Sequence, residues 1–223
     1  MGVCVVTGAN RGIGLELVRQ LSARGERVIA VCRQPPPELE SAGAVVVDGI
    51  DVTRPADIET LAGRLAGETV SLLVNNAGVL SSQRLGAIDS EAITAMEHQY
   101  RVNSLGPLLV TQALRPLMDS GSKVGIVTSR MGSIADNTSG GTYGYRMSKA
   151  AVNAAGMSLA RDLADDGIAV ILLHPGYVRT DMTSGSGQTD PADAAAGLLA
   201  RLDELDLAST GSFRHANGEH LPW

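Results

Sequence analysis

The sequence predicts an α/β fold: one domain over residues 1–223, built as a doubly wound parallel sheet of six to seven strands with helices on both faces. Three observations carry this. Short β-branched runs alternate with helical segments, most runs are apolar on both faces, and no repeat, charge block or linker breaks the alternation. A strand apolar on both faces suits the interior of a parallel sheet, where right-handed crossover helices cover each side.

The first run, 3–6, leads straight into Thr7-Gly8-Ala9-Asn10-Arg11-Gly12-Ile13-Gly14 and a helix over 12–23. The second, 27–32, is followed by Pro35-Pro36-Pro37, and proline does not support an early helix interior, so a stiff loop is expected in place of one crossover helix. The third run, 44–48, precedes helical periodicity at 55–66. The fourth, 70–74, enters Asn75-Asn76-Ala77-Gly78 and then a long helical stretch over 91–118. A fifth run at 123–128 precedes a helix over 142–165, and a sixth at 169–173 ends on His174-Pro175-Gly176. The Ser- and Gly-rich stretch 183–189 is either a surface turn or a cover over a substrate; a helix over 191–204 and a weak seventh strand at 211–213 follow.

Composition narrows the function. Apolar residues are 44% and charged ones 19%, as in a soluble globular protein. Aromatics are 3% and the net charge is -6, which argue against a base-stacking or extended phosphate-binding surface and hence against a nucleic-acid partner. Cys4 and Cys32 read as reduced core thiols, and neither has metal-ligand spacing. No leader pattern and no apolar run near the ~20 residues of a membrane span are present, so a cytoplasmic protein without a membrane partner is expected.

Glycines at a first strand-to-helix turn permit positive φ and let backbone N–H groups approach a pyrophosphate at the helix N-terminus. The spacing of Gly8, Gly12 and Gly14 at this junction therefore points to a dinucleotide. The second strand ends in Arg33 where an acid would bind a free ribose 2'-hydroxyl, and Arg11 lies inside the turn. Two cations suit a 2'-phosphate and favour NADP(H); two solvated surface arginines are the alternative.

Tyr145 and Lys149 are four apart, so on a helix they project within about 40° of one another, whereas Tyr143 lies roughly 240° from Lys149. Moving a phenol from pKa ~10 to neutrality takes about three units, or ~4 kcal/mol. An ammonium at ~4 Å with an effective dielectric of ~20 supplies about that. Lys149 is thus expected to lower the Tyr145 pKa and make the phenol useful for proton transfer. Taken alone such a pair is a weak signal, because Tyr and Lys at helical spacing usually serve only packing and solvation.

The glycine turn, Asn75 to Gly78, Tyr145-x3-Lys149 and Pro175-Gly176 stand in the order and places of the short-chain dehydrogenase/reductase family, which the chain resembles over essentially its whole length. The stretches 129–134, Gly140-Gly141, 145–149 and Leu221-Pro222-Trp223 look most like the small C-factor and sniffer-type carbonyl reductases. The resemblance implies a Rossmann-type sheet and an NADP(H)-dependent oxidoreductase acting on a small carbonyl compound or alcohol. It implies that Asn103 holds a water in a proton relay, that Ser129, with Ser133 as second candidate, orients the substrate carbonyl, and that Tyr145 is the general acid. Lys149 would hold the nicotinamide ribose and lower the phenol pKa. Gly8, Asn10, Arg11, Gly12, Ile13 and Gly14 would form the phosphate turn, Arg33 the 2'-phosphate contact, and Asp51 with Val52 the adenine contact. Asn75, Ala77 and Gly78 would line the cofactor, and Pro175, Gly176, Val178 and Thr180 would flank the nicotinamide.

Three features depart from the family's commonest pattern: the shortened, proline-bearing segment after the second strand, His174 where Asn is frequent, and a short loop after Thr180 that leaves the pocket open. His174 is expected to be a hydrogen-bonded structural residue. The small-residue face Ala150, Ala151, Ala154, Ala155 and Ser158 resembles the family's dimer-forming helix, so a homodimer is expected, with a tetramer as the alternative. The competing function is a dinucleotide-binding sensor or signalling protein of the C-factor type; an intact Ser-Tyr-Lys-Asn set argues against it.

Overall fold

The computed structural model describes residues 2–223. The strands are β1 (Val3–Thr7), β2 (Val28–Val31), β3 (Val45–Val47), β4 (Val70–Asn75), β5 (Lys123–Val127), β6 (Ala169–His174) and β7 (Ser212–His215). They pair in parallel throughout, in the order β3-β2-β1-β4-β5-β6-β7. The helices are α1 (Gly12–Ala23), α2 (Pro37–Glu40), α3 (Pro55–Arg64), α4 (Ser90–Tyr100), α5 (Gly106–Leu114), α6 (Tyr143–Asp162) and α7 (Pro191–Glu204).

The period of two in each strand sorts the core into two layers. Val3 and Val5 of β1 point to one face with Ile29, Val31, Val124 and Ile126, and are covered by Ile58 and Leu61 of α3, Val110 and Leu114 of α5, and Val152 and Leu159 of α6. Cys4 and Val6 point to the other face with Val28 and Ala30, beneath Leu17, Val18 and Leu21 of α1 and Leu198, Leu199 and Leu202 of α7. Every strand buried on both faces thus has a helix layer to meet, which is why the runs read as continuously apolar. Both cysteines are buried free thiols.

Two expected elements are corrected. The stretch after β2 contains a single helical turn, α2, instead of an unbroken loop. Pro37 is tolerated at its first position, where an N–H would lack a partner, and Leu39, wholly buried, anchors it. The long helix expected over 91–118 is divided: α4 gives way to a π-helical turn at Arg101–Leu105, α5 follows, and a 3-10 turn at Arg115–Leu117 ends it. Pro107 supplies the reason. It has no N–H for the residue four back, and its ring crowds that carbonyl, of Asn103; the widened turn, with the Gly106 N–H reaching back to the Arg101 carbonyl, relieves the clash.

The weak seventh strand is real and runs Ser212–His215. Among the described residues no helix is long and apolar enough to cross a membrane. Chain order reverses between β1 and β4, and the carboxyl ends of these two strands open the crevice where ligands of such sheets bind.

Candidate active site

At that crevice β1 ends in the glycine turn. Gly8 and Gly12 have φ of 65° and 53°, in the left-handed region that a side chain disfavours. A Cβ on Gly14 would lie 2.2 Å from the Gly8 carbonyl oxygen, so the turn closes only with glycine there. Asn76 clamps the turn to β4: its Nδ2 donates to the carbonyls of Thr7 and Gly8 at 3.0 and 3.1 Å, while the Thr7 hydroxyl accepts from the Asn76 and Ala77 amides. The helix that starts here has no side-chain cap and no acid in its first turn. Uncapped N–H groups at the positive end of a helix dipole suit an anion, so the turn fits a pyrophosphate.

From this turn a cleft of about 660 Å³ runs to Tyr145 and Lys149. Gly8, Asn10, Arg11, Gly12, Ile13 and Gly14 form one end, Arg33, Asp51 and Val52 one wall, and Ala77, Gly78, Pro175 and Thr180 the remainder. Burial pushes the Asp51 carboxyl up, but the Thr53 hydroxyl and amide and the charges of Arg33 and Arg54 outweigh it and hold Asp51 below the usual carboxylate range. Arg11 reaches across the mouth to Asp181 at 2.9 Å, both side chains well exposed, and so shares its charge with an acid of the opposite loop. That loop closes on itself through the Arg179–Asp190 ion pair and the Val178–Thr189 bridge. Four of its residues, Arg179, Thr180, Asp181 and Met182, line the cleft, whereas none of residues 183–189 does.

The far end of the cleft is set by α6. Gln83, buried in the loop after β4, satisfies two donors at its start: the side-chain oxygen accepts from the Gly144 amide at 2.9 Å and the main-chain carbonyl from Thr142 at 2.8 Å. Thr142 sits at φ 50°, a strained conformation for a β-branched residue that these bonds hold in place. Tyr145 and Lys149 follow on the buried face, 7% and 4% exposed. The Ser129 side chain, at the end of β5, faces the Tyr145 hydroxyl and favours its ionised form.

The electrostatics overturn the expected pKa argument. Burial pushes the Tyr145 phenol up to about 12, and only the nearby Ser129 side chain opposes it. The Lys149 ammonium lies 5.7 Å from the tyrosine ring centroid and donates to the Val127 carbonyl at 2.9 Å. Desolvation brings Lys149 itself down to about 8. Depth of burial, invisible to helical spacing, exceeds the charge–phenol attraction that the spacing predicts.

Other expected residues lie behind the cleft wall. The Asn75 side chain points away, donating to Thr111 Oγ1 at 3.0 Å, because strand alternation turns successive side chains apart; its neighbour Asn76 lines the cleft. Asn103, in the π turn, is occupied by protein: its Oδ1 accepts from the Val79 amide and its Nδ2 donates to the Val79 carbonyl and to Ser148 Oγ, each at 2.9 Å. It braces the turn after β4 against α6. Gly176 and Val178, the latter buried and bridged to Thr189, do not line the cleft, whereas Pro175 and Thr180 do. Ser133 is committed to structure, donating to the Trp223 carbonyl at 2.9 Å and accepting from the Asp136 amide. His174 differs from expectation: its Nδ1 has no partner, and its ring meets His215 edge-on at 4.9 Å. Burial first, then His215 and nearby cations, bring it down to about 3 and keep it neutral. Sequence reasoning missed Gln83; it placed the whole stretch from Asn75 to Gly78 against the cofactor, and of these Asn76, Ala77 and Gly78 line the cleft.

The family model described as short chain dehydrogenase matches residues 2–191. The chain is 44% identical, over 100% of both sequences, to 1-hydroxy-2-glutathionyl-2-methyl-3-butene dehydrogenase of Rhodococcus sp. (strain AD45). It is 45% identical to C-signal of Myxococcus xanthus over 69% of this chain and 93% of that one. Among solved structures, the NADPH-bound carbonyl reductase from chicken fatty liver superposes with a TM-score of 0.89 at 30% identity, and the carbonyl reductase Sniffer of D. melanogaster with 0.90 at 29%, each over 100% of both chains.

Proposed function

Because the chain belongs to the short-chain dehydrogenase family, we propose that it is an NADPH-dependent oxidoreductase that reduces an aldehyde or ketone or, in reverse, oxidises the alcohol. The observation that carries this reading is one continuous cleft with an anion-binding turn at one end and the buried Tyr145 and Lys149 at the other. When bound, NADP(H) supplies the hydride exchanged with the substrate carbon. The α1 N-terminus holds the pyrophosphate, and Arg11 and Arg33 receive the 2'-phosphate. Asp51 meets the adenosine end. A phenol pushed up to about 12 stays protonated at neutral pH, which is the state needed to donate to oxygen as charge develops there in reduction. Ser129 aligns that phenol and the substrate oxygen, Lys149 offers its ammonium to a ribose hydroxyl, and Asn103 braces the wall. We place the protein with the small C-factor and Sniffer-type reductases, in the cytoplasm, as a homodimer. A signalling role is the second reading, favoured by the C-signal likeness.

The test is a panel of carbonyl compounds and alcohols, including a glutathione-conjugated alcohol on account of the Rhodococcus relative, assayed by nicotinamide absorbance with both cofactors. Charge-assisted bonds at ~1.5 to 3 kcal/mol each, discounted for exposure, give an expected NADPH preference of about 30- to 1000-fold, toward the lower end because Asp181 already shares Arg11. Tyr145→Phe should lower kcat at least ~100-fold while changing NADPH binding less than about threefold, and Tyr143→Phe should do neither. Near-normal turnover in Tyr145→Phe would move the assignment to the signalling reading.

A further inference from the structure

The segment 219–223 folds back from β7 and reaches the loop that carries Ser129. The Trp223 carbonyl oxygen accepts three hydrogen bonds from that loop: the Ile134 amide at 3.0 Å, the Ala135 amide at 2.9 Å and the Ser133 hydroxyl at 2.9 Å. Glu219 pairs with Arg130, the residue next to Ser129, at 2.8 Å. The segment is itself fastened to the sheet. Leu221 is buried against Leu172 and Phe213 with its amide on the Phe213 carbonyl, the His215 amide donates to the Glu219 carbonyl, and the Trp223 ring rests on Phe213 at 5.3 Å.

On its other side the same loop meets α6 with almost no clearance. A Cβ on Gly132 would fall 2.7 Å from the carbonyl carbon of Lys149. Residues 129–136 are therefore held between two surfaces, the helix that carries Tyr145 and the 219–223 segment. Ser129 stands at the root of this loop, its hydroxyl accepting from the Met131 amide at 3.1 Å and facing the Tyr145 phenol. Moving the 133–135 backbone away from Trp223 would tilt the short turn Arg130–Gly132, whose first bonds start at Ser129.

We propose that 219–223 is a positioning strap for Ser129, through which Trp223 and Glu219 set the hydroxyl against Tyr145. The proposal rests on the active-site reading above and adds residues that touch neither substrate nor cofactor. The geometry of a positioned hydroxyl matters on the scale of an ångström, so a loosened strap should appear in turnover and not in dinucleotide affinity.

The experiment is a double-mutant cycle on the full chain with the best carbonyl substrate of the panel. Turnover is measured alongside NADPH binding by nicotinamide fluorescence, which survives removal of the chain's single tryptophan. Trp223→Ala should lower kcat about tenfold with the NADPH Kd within about twofold, and Trp223→Phe, which keeps a ring on Phe213, should restore most of it. Glu219→Gln, an isosteric change at an exposed side chain, should lower kcat about threefold. In a Ser129→Ala background neither strap variant should cost more, because a device that acts through one hydroxyl has nothing left to position. Losses that multiply in that background, or undiminished kcat in both strap variants while Ser129→Ala is impaired, would overturn the strap. Undiminished turnover in Ser129→Ala alone would overturn the active-site reading itself.

Discussion

Two buried side chains, an ammonium and a phenol, give the fold opposite responses to pH. Lys149 titrates at about 8 in the folded protein against 10.5 ordinarily, so between these values the unfolded chain holds the extra proton and stability rises with pH. Tyr145 moves from 10 to about 12, the folded protein keeps its proton longer, and stability falls across that window. Lys149→Met removes the first response. Measured as urea midpoints, the stability of the variant minus that of the unmodified protein should drop by roughly 3 kcal/mol between pH 8 and pH 10.5, the equivalent of the Lys149 displacement. A difference that stays flat would show that Lys149 is not desolvated. Pairing of Tyr145 with Lys149 in one cleft was legible from their spacing; the direction of the phenol's shift was not. It depends on how deeply α6 sinks into the sheet and on the Val127 carbonyl that takes up the ammonium, and both are properties of the packed structure.

At the level of elements, the π turn is where sequence and site meet. Helical periodicity over 91–118 was legible, but the break at Pro107 went unread, and its outcome is not fixed locally, because a proline can kink, end or widen a helix. Here widening places Asn103 against Val79 and Ser148. Pro107→Ala restores an N–H and removes the ring, so the regular helix should return. We expect stability to hold or rise, by up to ~3 kcal/mol, while kcat falls at least about tenfold as Asn103 leaves its brace; chemical denaturation and turnover on one preparation decide it. A variant that stays fully active would mean that Pro107 does not cause the π turn or that the turn does not matter. The triple proline after β2 shows the converse. A helix was excluded there on local grounds, but burial of Leu39 was enough to form a single turn.

For the whole molecule, the alternation of runs and helices made the sheet legible almost entirely, since both of its layers repeat one local pattern. Assembly was legible only as a small-residue face. In the structure that side of α6 exposes Met147 and Ala154, and beside it Ile93 and Tyr100 of α4 border an apolar groove of about 560 Å³. We propose that a second copy seats there; a stable pair needs ~1,600 Å² of buried surface, which two helices on each side could supply. Sedimentation at micromolar concentration should show a dimer, and Met147→Arg or Ala154→Arg should give monomers; a monomeric unmodified protein would refute the arrangement. The strand order has a further consequence, in time. β1 is synthesised before the other strands of the sheet, yet one of its two neighbours is β4, and the Thr7 hydroxyl meets the carbonyl of Val74, 67 positions further along the chain. The glycine turn is therefore written early and finished late. Until β4 emerges and Asn76 closes on the Thr7 and Gly8 carbonyls, no nascent fragment can hold a dinucleotide, and cofactor binding can reward only the later stages of folding, never the first.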